Sequence, residues 1–160
     1  MTSDKWRIVV EGIGIIAIVS SLALVAVELK QNTEMMRSQT RATVTEHQLT
    51  YLQEMSDPGK LDLVLKYFTG EASFPPPEPT LDAAIFYSLT IMLFRTWENE
   101  YYQYQQGLFE EEEFLPRINT WSSNLSNQAT REIWQSFDNG SYAPGFADIL
   151  DSIILEIEGN

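Results

Sequence analysis

The chain opens on an apolar run, "RIVVEGIGIIAIVSSLALVAVELK" from Arg7 to Lys30, in which no polar face recurs at helical or strand period. Ile8 to Leu29 spans 22 residues, and at ~1.5 Å rise each a helix of that length reaches roughly 33 Å, close to the ~30 Å hydrocarbon thickness of a bilayer. This predicts a transmembrane helix over about 8–29. The uncharged interior, Gly12 to Val27, is 16 residues long, short enough that a buried core helix is the alternative. A cleaved signal is a third reading, because Lys5 and Arg7 precede the run and Ser21-Leu22-Ala23 has a small-x-small form. The apolar residues continue beyond that site, which favours an uncleaved anchor.

Beyond the span, "QNTEMMRSQTRATVTEHQLTYLQEMSD" has neither glycine nor proline before Asp57-Pro58-Gly59, so the helix is expected to run on as a stalk to about Met55. "KLDLVLKYF" predicts a short amphipathic helix, and "GEASFPPPEPT" an extended connector, since consecutive prolines fix φ and donate no hydrogen bonds. Thr80 is a good N-cap for a helix through "LDAAIFYSLTIMLFRTWENEYYQYQQG", apolar nearly all round in its first half, which Gly107 can end. "LFEEEEFLPRINTWSSNLSN" predicts another helix with Glu110 to Glu113 in its first turn, where the dipole favours acids. "NQATREIWQSF" and "PGFADILDSIILEIE" give two more, separated by the turn signals Asn139-Gly140 and Pro144-Gly145. In the last, Phe146, Ile149, Leu150, Ile153, Ile154 and Ile157 form a stripe that needs a core to pack against. The fold class is therefore all-α, with residues 1–57 as transmembrane helix and stalk and 58–160 as a small acidic helical bundle.

Charge changes the picture of partners. The chain has 23 acidic and 10 basic residues, a net −13, which disfavours a surface built to neutralise phosphates, so no nucleic acid is expected. Pro58 to Asn160 alone carries −11, and an anionic membrane surface would repel it. There is no cysteine and one histidine, His47, so thiol catalysis, triads and multi-histidine metal sites lack their residues. Neither Glu46 beside His47 nor the four consecutive glutamates has a metal-loop pattern, and both read as solvated positions. No cofactor or catalytic residue is expected.

Three sets of residues stand out. Gly14, Ala17 and Ser21 lie at helical spacing within the span, where small side chains let two helices approach, although short patterns of this kind are common in lipid-facing helices. Glu11 and Glu28 flank the span, and Glu11 or Glu28 is a candidate for an anionic ring in an oligomer. In "FRTWENEYYQYQQGLF", Phe94, Trp97, Tyr101 and Tyr104 line one side of a helix, with Arg95, Glu98 and Asn99 interspersed as a buried polar network that would select one packing. A ligand or catalytic site at the same place is the less favoured reading of those three.

With the apolar amino-terminal helix running into "ELKQN", the pattern FRxxENxYYQYxxGLF and a late helix containing Trp134, the chain resembles a group of small uncharacterised bacterial single-span membrane proteins. The resemblance covers most of the chain and implies a bacterial, membrane-anchored helical protein. It implies no activity.

The leading expectation is a noncatalytic membrane-anchored interaction or scaffold protein that self-assembles or serves as a small subunit of a membrane complex, with the lipid bilayer as its first partner. Two alternatives are a homo-oligomeric cation channel ringed by Glu11 or Glu28, and an enzyme using the Arg95, Glu98, Tyr101 region. The location expected is the bacterial inner membrane, with the C-terminal part cytoplasmic because Lys30, Arg37 and Arg41 after the span outnumber Lys5 and Arg7 before it.

Overall fold

A computed structural model describes residues 3–138 and 140–159, with side chains from Trp6 onward. Asn139 of the predicted Asn139-Gly140 turn and the side chain of Lys5 lie outside the described residues. Among the described residues there are six helices and no strand: α1 (Ser3–Met55), α2 (Pro58–Phe68), α3 (Leu81–Gln105), α4 (Glu111–Leu125), α5 (Gln128–Gln135) and α6 (Pro144–Gly159). The chain divides into two units, residues 1–39 and 40–160.

The first unit is the amino-terminal part of α1. All thirteen Ile, Val and Leu side chains between Ile8 and Leu29 are 47–68% exposed, so the helix lacks the covering that a core helix requires. One helix near the amino terminus is thus long and apolar enough to cross a membrane, and none of its hydropathic window is buried.

The second unit begins inside α1, at Thr40, rather than at the Asp57-Pro58-Gly59 break. Val44 explains why these turns belong with the bundle, since its side chain is 2% exposed. The Asp57 carboxylate accepts hydrogen bonds from the backbone N–H groups of Gly59 (2.9 Å) and Lys60 (3.1 Å), starting α2. Thr80 caps α3 by accepting from the Ala83 N–H at 3.1 Å. At its other end the Gly107 N–H donates to the Tyr104 carbonyl and the Leu108 N–H to the Gln103 carbonyl, with Gly107 at φ 69°. That double bond pattern closes the last orphan carbonyls and needs a residue at ease in the left-handed region. The proline-rich connector between α2 and α3 carries no helix, and Phe74 within it stacks on Tyr87.

Helix α3 packs against α2, α4 and α5, and α4 also packs against α5 and α6. Aromatic rings fill the space between them: Trp97 stacks on Trp121 at 5.6 Å, while Phe146 meets Trp121 and Trp134 edge-on. Phe146, Leu150, Ile153 and Ile154 of the predicted α6 stripe are buried. Residues 40–160 contain nineteen acidic and six basic side chains against four of each in 1–39. The entire net charge therefore lies on the bundle.

Candidate functional site

A half-open cavity of about 280 Å³ lies between the last turns of α1, the middle of α3 and α4. Tyr51 and Leu52 of α1 wall it on one side, Leu93 and Trp97 of α3 and Trp121 of α4 on the others. Glu100 also lines it and is only 3% exposed. A buried carboxylate is tolerated when donors replace its water, and here they come from two other helices, α1 and α4. Glu100 Oε1 accepts from Gln48 Nε2 of α1 at 2.8 Å and from Arg117 Nη1 of α4 at 2.7 Å. Among the described residues its Oε2 has a single long contact, from the Trp121 indole Nε1–H at 3.4 Å. The Arg117 guanidinium carbon also sits 4.6 Å above the Phe109 ring. Burial pushes the Tyr51 hydroxyl above its ordinary value, so it stays a neutral phenol at physiological pH.

This centre was missed from sequence because its members are remote from one another along the chain. A signal was present all the same: Glu100 falls three residues after Trp97 and seven after Leu93, which puts an acid on the apolar side of α3.

The expected network of Arg95, Glu98 and Asn99 takes a different form. Arg95 is 53% exposed and bonds Glu98 Oε2 at 2.7 Å along the helix surface. Glu98 Oε1 accepts the Ala143 backbone N–H at 2.7 Å, fastening the entry to α6 onto α3. Arg95 spreads over the Tyr142 ring at 4.1 Å. Asn99 takes no part in this cluster and accepts from Gln103 of its own helix at 3.4 Å. The network is a rim rather than a buried core, because Arg95 stands off the apolar side of α3 that carries Phe94 and Trp97. Desolvation pushes the Tyr142 hydroxyl up, with Arg95 opposing and Glu98 and Tyr87 adding to the rise.

In the amino-terminal unit Glu11 accepts from Arg7 Nε at 3.0 Å, with both side chains exposed. Glu28 is exposed too, and seventeen residues later in the same helix it lies roughly 25 Å further along the axis. A ring of Glu11 and a ring of Glu28 would therefore lie at different depths. Among the described residues nothing buries Gly14, Ala17 or Ser21, and a Cβ at Gly14 would meet no neighbour. His47 is exposed, and among the described residues no three His, Asp or Glu side chains converge in a metal-binding group. Glu113 at the start of α4 pairs with Arg41 of α1 at 2.6 Å, a second tie between the helices that carry the Glu100 donors.

Chemically, the cavity offers a fixed carboxylate, a guanidinium paired with it, and an aromatic and apolar lining. It is equipped to hold a ligand. Comparison with protein-family models, curated proteins and solved structures finds no match to this chain.

Proposed function

We propose that the protein is a noncatalytic, membrane-anchored interaction protein: α1 crosses the bilayer once over about residues 8–29 and holds an acidic helical bundle in water. The observation that carries this is the exposure of every Ile, Val and Leu in that stretch. Thirteen such residues at about −0.3 to −0.6 kcal/mol each favour insertion by roughly 4–8 kcal/mol. The two glutamates lie near the ends, where the ~2.5–3.5 kcal/mol cost of a central charge is much reduced, and Arg7 compensates Glu11. Insertion therefore wins.

An anchor of this kind is useful when the bundle presents a surface to another membrane component or to a second copy. The small residues Gly14, Ala17 and Ser21 offer a close-packing face in lipid, and the −13 charge of the bundle suits basic partner surfaces. The resemblance to bacterial single-span proteins and the three basic side chains after the span favour an inner-membrane location with the bundle in the cytoplasm. Native-scale purification in mild detergent, followed by light scattering and mass spectrometry, tests the reading. A homo-oligomer or a stoichiometric membrane partner is expected. A lone monomer at every concentration would oppose it.

A further inference from the structure

We propose that the cavity between α1, α3 and α4 is a binding site for a compact organic cation, namely a primary or secondary ammonium carried on a short aliphatic chain or a single ring. The floor supplies the first reason. A carboxylate offers about four acceptor positions, and Glu100 uses two of them on short bonds through Oε1 while Oε2 receives only the 3.4 Å indole contact. An N–H donor of positive charge makes the strongest use of that oxygen, because charge-assisted bonds exceed neutral ones about twofold.

The walls supply the second reason. Tyr51 contributes an aromatic ring of the kind that attracts cations, Leu52 and Leu93 give an apolar lining for the tail, and the buried Trp97 and Trp121, stacked on one another, complete the wall. The two lining threonine hydroxyls are already occupied, since Thr96 donates to the Met92 carbonyl at 2.9 Å and Thr120 to the Pro116 carbonyl at 3.2 Å. Arg117 is held between Glu100 and the Phe109 ring, with its Nη1 spent on Glu100 and its buried Nε without a hydrogen-bond partner among the described residues. The bundle's net −13 steers cations inward and keeps anions out. At about 280 Å³ the cavity falls just under the ~300–1,000 Å³ of drug-sized pockets, which restricts the occupant to something small.

The test uses the full chain in dodecyl maltoside micelles, titrated with benzylamine and, as comparators sharing its ring, benzyl alcohol and benzoate. Binding is read by saturation-transfer NMR and by quenching of tryptophan fluorescence. Benzylamine should bind saturably and at least about tenfold more tightly than either comparator, a difference of ~1.4 kcal/mol. Glu100→Gln should weaken it by about tenfold or more. Leu52→Trp blocks the mouth from a position 56% exposed, so it threatens folding little and should weaken binding similarly, whereas Leu155→Trp at a 70% exposed site outside the cavity should not. Absence of saturable benzylamine binding, equal binding of benzyl alcohol, or unchanged binding in Leu52→Trp would each overturn the assignment. Partition into micelles is common to all variants and cancels in their comparison.

Discussion

Removing the guanidinium that faces Glu100 is the sharpest probe of how the bundle is held together. In Arg117→Met the stem volume is kept while Glu100, 3% exposed, loses its 2.7 Å charged partner and retains one neutral donor at 2.8 Å and one at 3.4 Å. Breaking a buried ion pair from one side costs about 3–5 kcal/mol, because the other charge remains buried. Arg117 is itself 23% exposed, so water reaches part of the vacated space and the lower end, about 3 kcal/mol, applies. At roughly 3–6 °C per kcal/mol for a domain of this size, Tm should fall by about 10–15 °C. Near-UV circular dichroism of the full chain in detergent reads this, since Trp97, Trp121 and Trp134 all sit in the bundle core. Glu100→Gln in the same background removes the stranded charge, so the double variant should be more stable than Arg117→Met by at least ~1 kcal/mol. If Arg117→Met melts within about 2 °C of the parent, or if the two substitutions add without coupling, the pair does not organise these helices.

Three further outcomes follow from other parts of the molecule. A fragment of residues 40–160 should fold cooperatively, whereas 58–160, which lacks Val44 and the Gln48 donor to Glu100, should lose several kcal/mol by urea titration; equal stability would place α1 outside the bundle. A Cβ at Gly145 would collide with the Tyr101 hydroxyl, so Gly145→Ala should cost about 1–2 kcal/mol and Tyr101→Phe should restore most of it in a double-mutant cycle. The tyrosines Tyr51, Tyr67 and Tyr142 are all raised above 10.0 chiefly by desolvation, so the folded state holds their protons more tightly than the unfolded chain. Stability from this source is complete below pH 10 and is lost as pH rises beyond it; Tyr51→Phe should shrink that alkaline loss, measured by melts from pH 8 to 11.

The helices themselves were largely legible in the sequence, because the signals that set them are local. Thr80 three residues ahead of the Ala83 N–H, Gly107 at the end of α3 and the Phe146–Leu150–Ile153–Ile154 stripe each act within a turn or two of the chain. The start of the compact unit was less legible. Nothing in "TRATVTEHQLTYLQEM" announces that Val44 is buried while Leu49 and Leu52 are exposed, since that depends on where α3 and α4 lie. The polar centre was misplaced for the same reason. Arg95 and Glu98 pair at i, i+3 and so were visible, whereas Glu100 is satisfied by Gln48 and Arg117, 52 and 17 residues away. A lone acid on an aromatic helix face identifies no partner until the chain has folded.

Separating the apolar turns from the bundle tests the central claim most directly. Full-length protein and the fragment 40–160 are expressed side by side, the membranes are washed with alkaline carbonate, and both fractions are quantified after ultracentrifugation. Full-length protein should stay in the pellet until detergent releases it, and the fragment should be wholly in the supernatant. Full-length protein that leaves the membrane with carbonate, or never enters the pellet, would mean that the side chains from Ile8 to Leu29 find their cover in another protein rather than in lipid.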